Sequence, residues 1–365
     1  MPVLLLIVLV APLVLWFLQK PRPLNVLIID KTVSNTTYRE HKGLVWLLNH
    51  HKFVHSTEAR PYNVARDYVG FVPLPDRKYQ IRPVPWDLSS YDLIYLADTY
   101  GVYDDDFEAR KALGRRSRLI YGGLGMNEVG SIERGLNGGA TVIAEFNTFA
   151  SPTEQPEREA LTQLFGMSWS GWIGRWFSNL RRNLEIPEWI LVSYRRQYGK
   201  EWDFDGPGFV FVHENGRLVV LREGIDTGPA ALKISFPEEE RKHYGVRNNI
   251  YYLYWFDIVM PRPGTTVVAT YHLDLMPSGR AILKKAGIPE FFPAVLRRRQ
   301  DGHLSYYFAG DYVDCSQIPG LWKYRGLDFI QQSLSLDTKI SATSFFWKVY
   351  APMMKTILSE IPHRN

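Results

Sequence analysis

One cysteine, Cys315, is all the thiol chemistry that the 365 residues hold, which excludes an internal disulfide and any cysteine-based zinc cluster. The compartment stays open, because many exported proteins also lack disulfides. Excess charge is scarce too: 43 Lys and Arg against 38 Asp and Glu leave +5, spread along the chain. The short runs Arg115-Arg116 and Arg297-Arg298-Arg299 read as solvated faces, so no nucleic acid is expected as a partner. No Walker sequence occurs, and Gly122-Gly123-Leu124-Gly125 falls short of a dinucleotide fingerprint because Glu128 stands in the third glycine's place. His51 and His55 are four apart where a helix is ending, and His272-x-Asp274 is a two-ligand fragment, so neither metal nor cofactor is expected. Internal repeats and low-complexity linkers are also missing.

What is present is an ordinary globular composition, 45% apolar and 22% charged, with an unusual load of rings: 11 Trp, 21 Tyr and 19 Phe. Val3 to Leu18 is apolar without a charge, closes with Trp16 and Phe17, and is followed by Lys20 and Arg22. A helix of about 16 to 18 residues is at the short limit for spanning hydrocarbon. With no small-x-small cleavage site after it, residues 1–22 read as an uncleaved transmembrane anchor meeting the membrane through 3–18, ahead of a domain over 24–365. Lys20 and Arg22 would by the positive-inside rule keep the body in the cytoplasm; anchored soluble domains often face outward, and an extracytoplasmic body is expected.

Asn25 to Asp30 is an apolar run ending in a carboxylate, as a buried parallel strand would. Thr37 and Glu40 have capping-box spacing ahead of Leu44, Leu47 and Leu48. Further strands are expected at 92–97, ending at Asp98, at 119–121, and at 140–144, ending at Glu145, with helices over 127–136 and 153–165. Strand-helix alternation of this kind implies a doubly wound, mainly parallel sheet. Residues 167–262 break the pattern with a Trp-rich connector and a β-rich insertion, including a hairpin at Asn215-Gly216. More strands follow at 265–271 and as a pair, 294–296 with 304–308, around Asp301-Gly302, then a helix over 344–358.

Two stretches resemble the class I glutamine amidotransferase-like superfamily: DLIYLADTYG with GLNGGATVIAEFNTF, and PAVLRRRQDGHLSYYFAGDYVD. The resemblance implies a flavodoxin-like fold and a site at the strand ends. The nucleophilic cysteine that such enzymes carry at the elbow is replaced by Glu145-Phe146-Asn147, and the late loop reads Asp311-Tyr312-Val313-Asp314. The catalytic triad is therefore missing, and a carboxylate or amide does not replace a thiolate as acyl acceptor.

On that topology Asp30, Asp98, Glu145 and Asp311 share one edge, with Asp314 just beyond and Arg39 and His41 at the start of the following helix. Clustered carboxylates raise each other's pKa, bind cations or accept hydrogen bonds from sugar hydroxyls; each could equally cap a helix. Trp172 and Arg175 sit in a Trp-Gly patch suited to stacking on a sugar face and holding an anionic group, or to sealing the two halves of the chain together. The leading expectation is a degenerate amidotransferase-like domain binding a polar ligand such as a cell-envelope polysaccharide at Asp30, Arg39, His41, Asp98, Glu145, Asn147, Trp172, Arg175, Asp311 and Asp314. The alternatives are a carboxylate-dependent, glycosidase-like hydrolase using Glu145 and Asp311, and a non-enzymatic scaffold in a membrane assembly.

Overall fold

The computed structural model describes residues 2–107, 117–181, 186–315, 317–339, 341 and 343–362, so the Arg115-Arg116 run lies outside the described residues. The strands of its two larger sheets are β1 (Val26–Asp30), β2 (Val69–Leu74), β3 (Lys78–Arg82), β4 (Leu93–Asp98), β5 (Thr141–Ala144), β6 (Met167–Phe177) and β7 (Gly208–His213). They continue with β8 (Leu218–Arg222), β9 (Lys233–Ser235), β10 (Ile250–Tyr251), β11 (Phe256–Pro261), β12 (Thr265–His272), β13 (Phe292–Gln300) and β14 (His303–Phe308). The expected strand Leu119–Tyr121 pairs only with Val102–Tyr103, apart from them. The helices that matter below are α1 (Pro2–Phe17), α2 (Arg39–His50), α3 (Met126–Asn137) and α4 (Gln155–Leu164).

β1, β4 and β5 are buried along their whole length, which suits runs such as VLIID and TVIA: with both faces covered, no polar alternation is called for. They lie inside a ten-stranded sheet ordered β10-β9-β12-β13-β14-β5-β4-β1-β2-β3. Only the run from β14 to β2 is parallel; the other five pairings are antiparallel. The expected mainly parallel, doubly wound sheet is corrected to a mixed one. Its physical reason is the late hairpin: β14 joins β5 in parallel, while its short turn at Asp301-Gly302 forces β13 and everything beyond to run antiparallel.

The Trp-rich connector is itself a strand. β6 forms a four-stranded antiparallel sheet, ordered β8-β7-β6-β11, and its side chains alternate between two cores. Trp172, Trp176, Phe209 and Phe211 pack into the main core, whereas Phe177, Val210, Val212 and Leu218 face a smaller one. Truncating a buried aromatic side chain of this size to alanine costs roughly 3 to 5 kcal/mol. Gly171, at φ +79°, and the register shift between Trp169 and Ile173 interrupt the strand where the sequence pattern also breaks.

The membrane anchor is corrected as well. α1 has 16 residues, about 24 Å at the α-helical rise against hydrocarbon about 30 Å thick, and no helix among the described residues is long and apolar enough to cross a membrane. Its end is docked on the body: Trp16 is 4% exposed, its Nε1 donates to the His50 carbonyl at 2.8 Å, and its ring meets Trp322 edge-on at 5.1 Å. The spanning segment over 1–22 and the single-pass extracytoplasmic placement built on it fall together, and the expected membrane contact through 3–18 loses its support.

Candidate functional site

Sheet register brings the acidic strand ends together. Asp30 is the register partner of Asp98 on β4, and Glu145 follows Ala144, whose partners are Leu96 and Tyr307. The chain steps one way from β1 to β2 and the other way to β4 and β5, which puts the topological switch point of the sheet between β1 and β4 at the strands' C-terminal edge. The loop after β14 brings Asp311 and Asp314 to the same edge.

α2 begins later than its capping-box spacing predicts. Tyr38, at φ 50°, is the N-cap residue, and Thr37 bonds Asn35 instead of the helix. Freed from a capping role, Glu40 is buried, and His41 turns fully inward. His41 Nε2 donates to the Val64 carbonyl at 2.8 Å, while Nδ1 lies 2.6 Å from Asp30 Oδ2. A carbonyl only accepts, so Nε2 carries a hydrogen and one further proton is shared between Nδ1 and Asp30. Arg39 stays outside with its side chain 51% exposed, joining Asp314 at 3.0 Å and Glu40 at 3.2 Å.

Burial dominates the charge state of this edge. It pushes Asp98 up to about 7, with the Asp30 carboxylate adding to it against donors from the Tyr100 N–H, Thr32 and Asn147. Burial raises Glu40 to about 8, and Asp30 and Asp98 reinforce the shift against Arg39. Asp311 is pushed well above the carboxylate range by burial and then by Asp314, Asp98 and Glu145. Asp314 is raised by burial, opposed by Arg39 and by a hydrogen bond from Asp311, so this pair shares a proton.

Glu145 is different. It is fully buried, and both oxygens are engaged: Oε1 accepts from Tyr95 Oη, which also contacts Tyr350 Oη at 2.8 Å, and Oε2 accepts from the Tyr312 and Val313 N–H groups at 2.7 and 3.1 Å. Burial still lifts it to about 8. Glu145 thus clamps the late loop to the sheet. Asn147, two residues on, holds the left-handed region at φ 69°, and its Nδ2 reaches toward Asp98 Oδ2 at 3.4 Å. Local strain of that kind outside glycine commonly accompanies a functional edge.

These shifts fix the pH response of stability. Glu40, Asp98, Glu145 and a fourth buried acid, Asp257 at about 7, keep their protons to pH 7–8 when folded but release them near pH 4 when unfolded. The folded chain then binds more protons, so the stability present at low pH is lost as pH rises through 8. His51, pushed down to about 3 first by burial, works the other way only below pH 6.5. Thermal melts should therefore show a falling midpoint between pH 6.5 and 8, shallower in Asp98→Asn; a midpoint that rises over that interval would contradict these shifts.

Of the sequence-predicted residues, Asp30, Arg39, His41, Asp98, Glu145, Asn147, Asp311 and Asp314 gather at this edge. Trp172 and Arg175 belong to β6 in the second sheet. Trp172 is 3% exposed between His213 and Arg217, and Arg175 lies over the Phe177 ring, so neither ring plane is open as a stacking platform. Glu40, at the start of the same helix as Arg39 and His41, was open to lining the site or to a solvated first turn, and it is buried at the edge. Missed by sequence reasoning was Lys31, whose buried Nζ sits 2.7 Å from Glu128 and 2.6 Å from the Gly123 carbonyl. The position of Lys31, directly after a buried strand, was the available signal. Clefts of about 740, 460 and 350 Å³ open elsewhere on the molecule.

No protein-family model matches the chain, and no curated protein matches it. Among solved structures, it is similar to a putative ThuA-like protein from Bacteroides uniformis, with 11% identity, 89% of this chain and 96% of that one covered, and a TM-score of 0.38. A Salmonella typhimurium LT2 protein described as cytoplasmic gives 10%, 93%, 100% and 0.39, and a carbohydrate deacetylase gives 12%, 80%, 30% and 0.34. The chain spans 30 to 35% of the length of that deacetylase, a Bacillus circulans β-galactosidase and an Opitutaceae β-mannosidase. At TM-scores below 0.5 these likenesses carry no argument about what this chain does.

Proposed function

We propose that the acidic edge binds a small, hydroxyl-rich molecule of the carbohydrate class. The observation that supports it is the crowding of Glu40, Asp98, Asp311 and Asp314 at one sheet edge, each raised by burial above the usual carboxylate range, with the half-exposed Arg39 beside them. Carboxyl groups poised between acid and carboxylate both donate and accept, which matches hydroxyls that do the same. Arg39 adds a planar donor fork, and the buried His41–Asp30 pair fixes the helical turn that carries it.

A panel of neutral and acidic sugars titrated by calorimetry tests this. Removing one charge-assisted hydrogen bond is worth about 1.5 to 3 kcal/mol, so Arg39→Ala and Asp311→Asn should each weaken binding about tenfold or more. Flat titrations of the unmodified protein across the panel would discard the proposal. A second reading, hydrolysis at the same edge, is favoured by Asp98, whose value near 7 suits a general acid or base. Glu145, with both oxygens engaged, is unsuited to that role. Aryl glycosides separate the readings: under hydrolysis Asp98→Asn abolishes turnover and spares binding.

A further inference from the structure

At the opposite end of α2 from Arg39, the residues after α1, the end of α2 and the last helix, Ala351–Glu360, line a cleft of about 460 Å³. Lys20, Arg22, Arg325 and Lys355 stand in its wall, with the hydroxyls of Thr356 and Ser359 among them. Asp328 is the nearby acid and is already engaged: Lys355 Nζ lies 3.0 Å from it, His50 Nε2 3.3 Å and His51 Nε2 3.7 Å. Among the described residues no carboxylate forms an ion pair with Lys20, Arg22 or Arg325. One of these cations is held in place: the Arg22 guanidinium lies over the Phe53 ring at 4.4 Å. The backbone N–H of Arg325 donates to the Pro12 carbonyl at 3.1 Å, which ties its main chain, though not its guanidinium, to α1.

His50, His51 and Asp328 offer ligand atoms within 4.8 Å of one another, the spacing of a metal site. Electrostatics argues against a dication there. Lys355 already occupies the carboxylate, and Lys355 and Arg22 both help hold His51 in its neutral form. Three cations without an acid partner leave a surplus of positive charge that an anion relieves and a metal ion would increase.

We propose that this cleft binds a phosphate-bearing anion, gripped by Arg22 and Arg325 with Lys20 and Lys355 around it; the Thr356 and Ser359 hydroxyls already donate to the Pro352 and Thr356 carbonyls. The volume suits a small ligand, and guanidinium forks match phosphate oxygens in pairs. A second basic cleft, of about 740 Å³ and lined by Arg241, Lys242, Arg247 and Lys348, supplies an internal control for undirected charge.

Calorimetry with pyrophosphate and the full chain, at low salt and at about 0.15 M, should give one-to-one binding. Arg22→Gln with Arg325→Gln should weaken it at least tenfold, and Arg241→Gln with Arg247→Gln should leave it unchanged. No heat from the unmodified protein, or equal losses in the two double variants, would overturn the proposal. If the first double variant fails to melt cooperatively, the exposed Lys20→Gln takes its place, with a loss of about threefold expected and no change overturning it. Co-sedimentation with phosphatidic acid vesicles, lost in the same variant, would assign the phosphate to a lipid headgroup; pyrophosphate binding without it would assign a soluble phosphate ester.

Discussion

Glu145→Ala should destabilise the protein by about 3 kcal/mol or more, because the Tyr312 and Val313 N–H groups lose their acceptor in a fully buried setting. Tyr95 loses less, since its hydroxyl turns to Tyr350, 2.8 Å away. Glu145→Gln should cost about 1 kcal/mol at most. Its remaining oxygen still faces the two N–H groups, and its amide donates to Tyr95, which passes its own hydrogen to Tyr350. Urea unfolding of the two variants reads the difference directly. If alanine and glutamine behave alike, within about 0.5 kcal/mol, the clamp on the late loop is not what holds that loop.

Gly70→Ala carries the other large effect. Gly70 pairs with Asp30 at φ +128°, where an added Cβ would stand 1.8 Å from the Asp30 carbonyl oxygen and 2.6 Å from its carbon. Backbone on both sides leaves nothing flexible to move, so strain and overpacking together should remove roughly 3 to 5 kcal/mol. β2 would part from β1 beside the Asp30–His41 pair, and sugar binding, if it resides there, should fall along with stability. A variant that melts with the unmodified protein would show that the two strands have room to spare.

Much of the parallel half of the sheet was legible in advance. Apolar runs ending in Asp30, Asp98 and Glu145 became β1, β4 and the residue after β5, because buried strands allow no other pattern. α3 and α4 were found within two residues, and both hairpins, at Asn215-Gly216 and Asp301-Gly302, formed. β2 was missed because Gly70 and Pro73 read as breakers, and β6 because Gly171 and Gly174 split its tryptophans. At the edge, strand ends could be placed but partners could not. That Glu145 answers to backbone N–H groups 167 and 168 residues away, or Arg39 to Asp314, is set by how β14 enters the sheet, which no local pattern records.

The place of β14 also bears on synthesis. It is a central strand, lying between β5 and β13, yet it is made roughly 160 residues after β5. On a ribosome adding about 5 to 20 residues per second, the free side of β5 waits about 8 to 30 s for its neighbour. Until Leu304 to Tyr307 arrive to cover Thr141 to Ala144, the nascent chain displays an unpaired apolar ladder. Of all its segments, that one has most need of a chaperone.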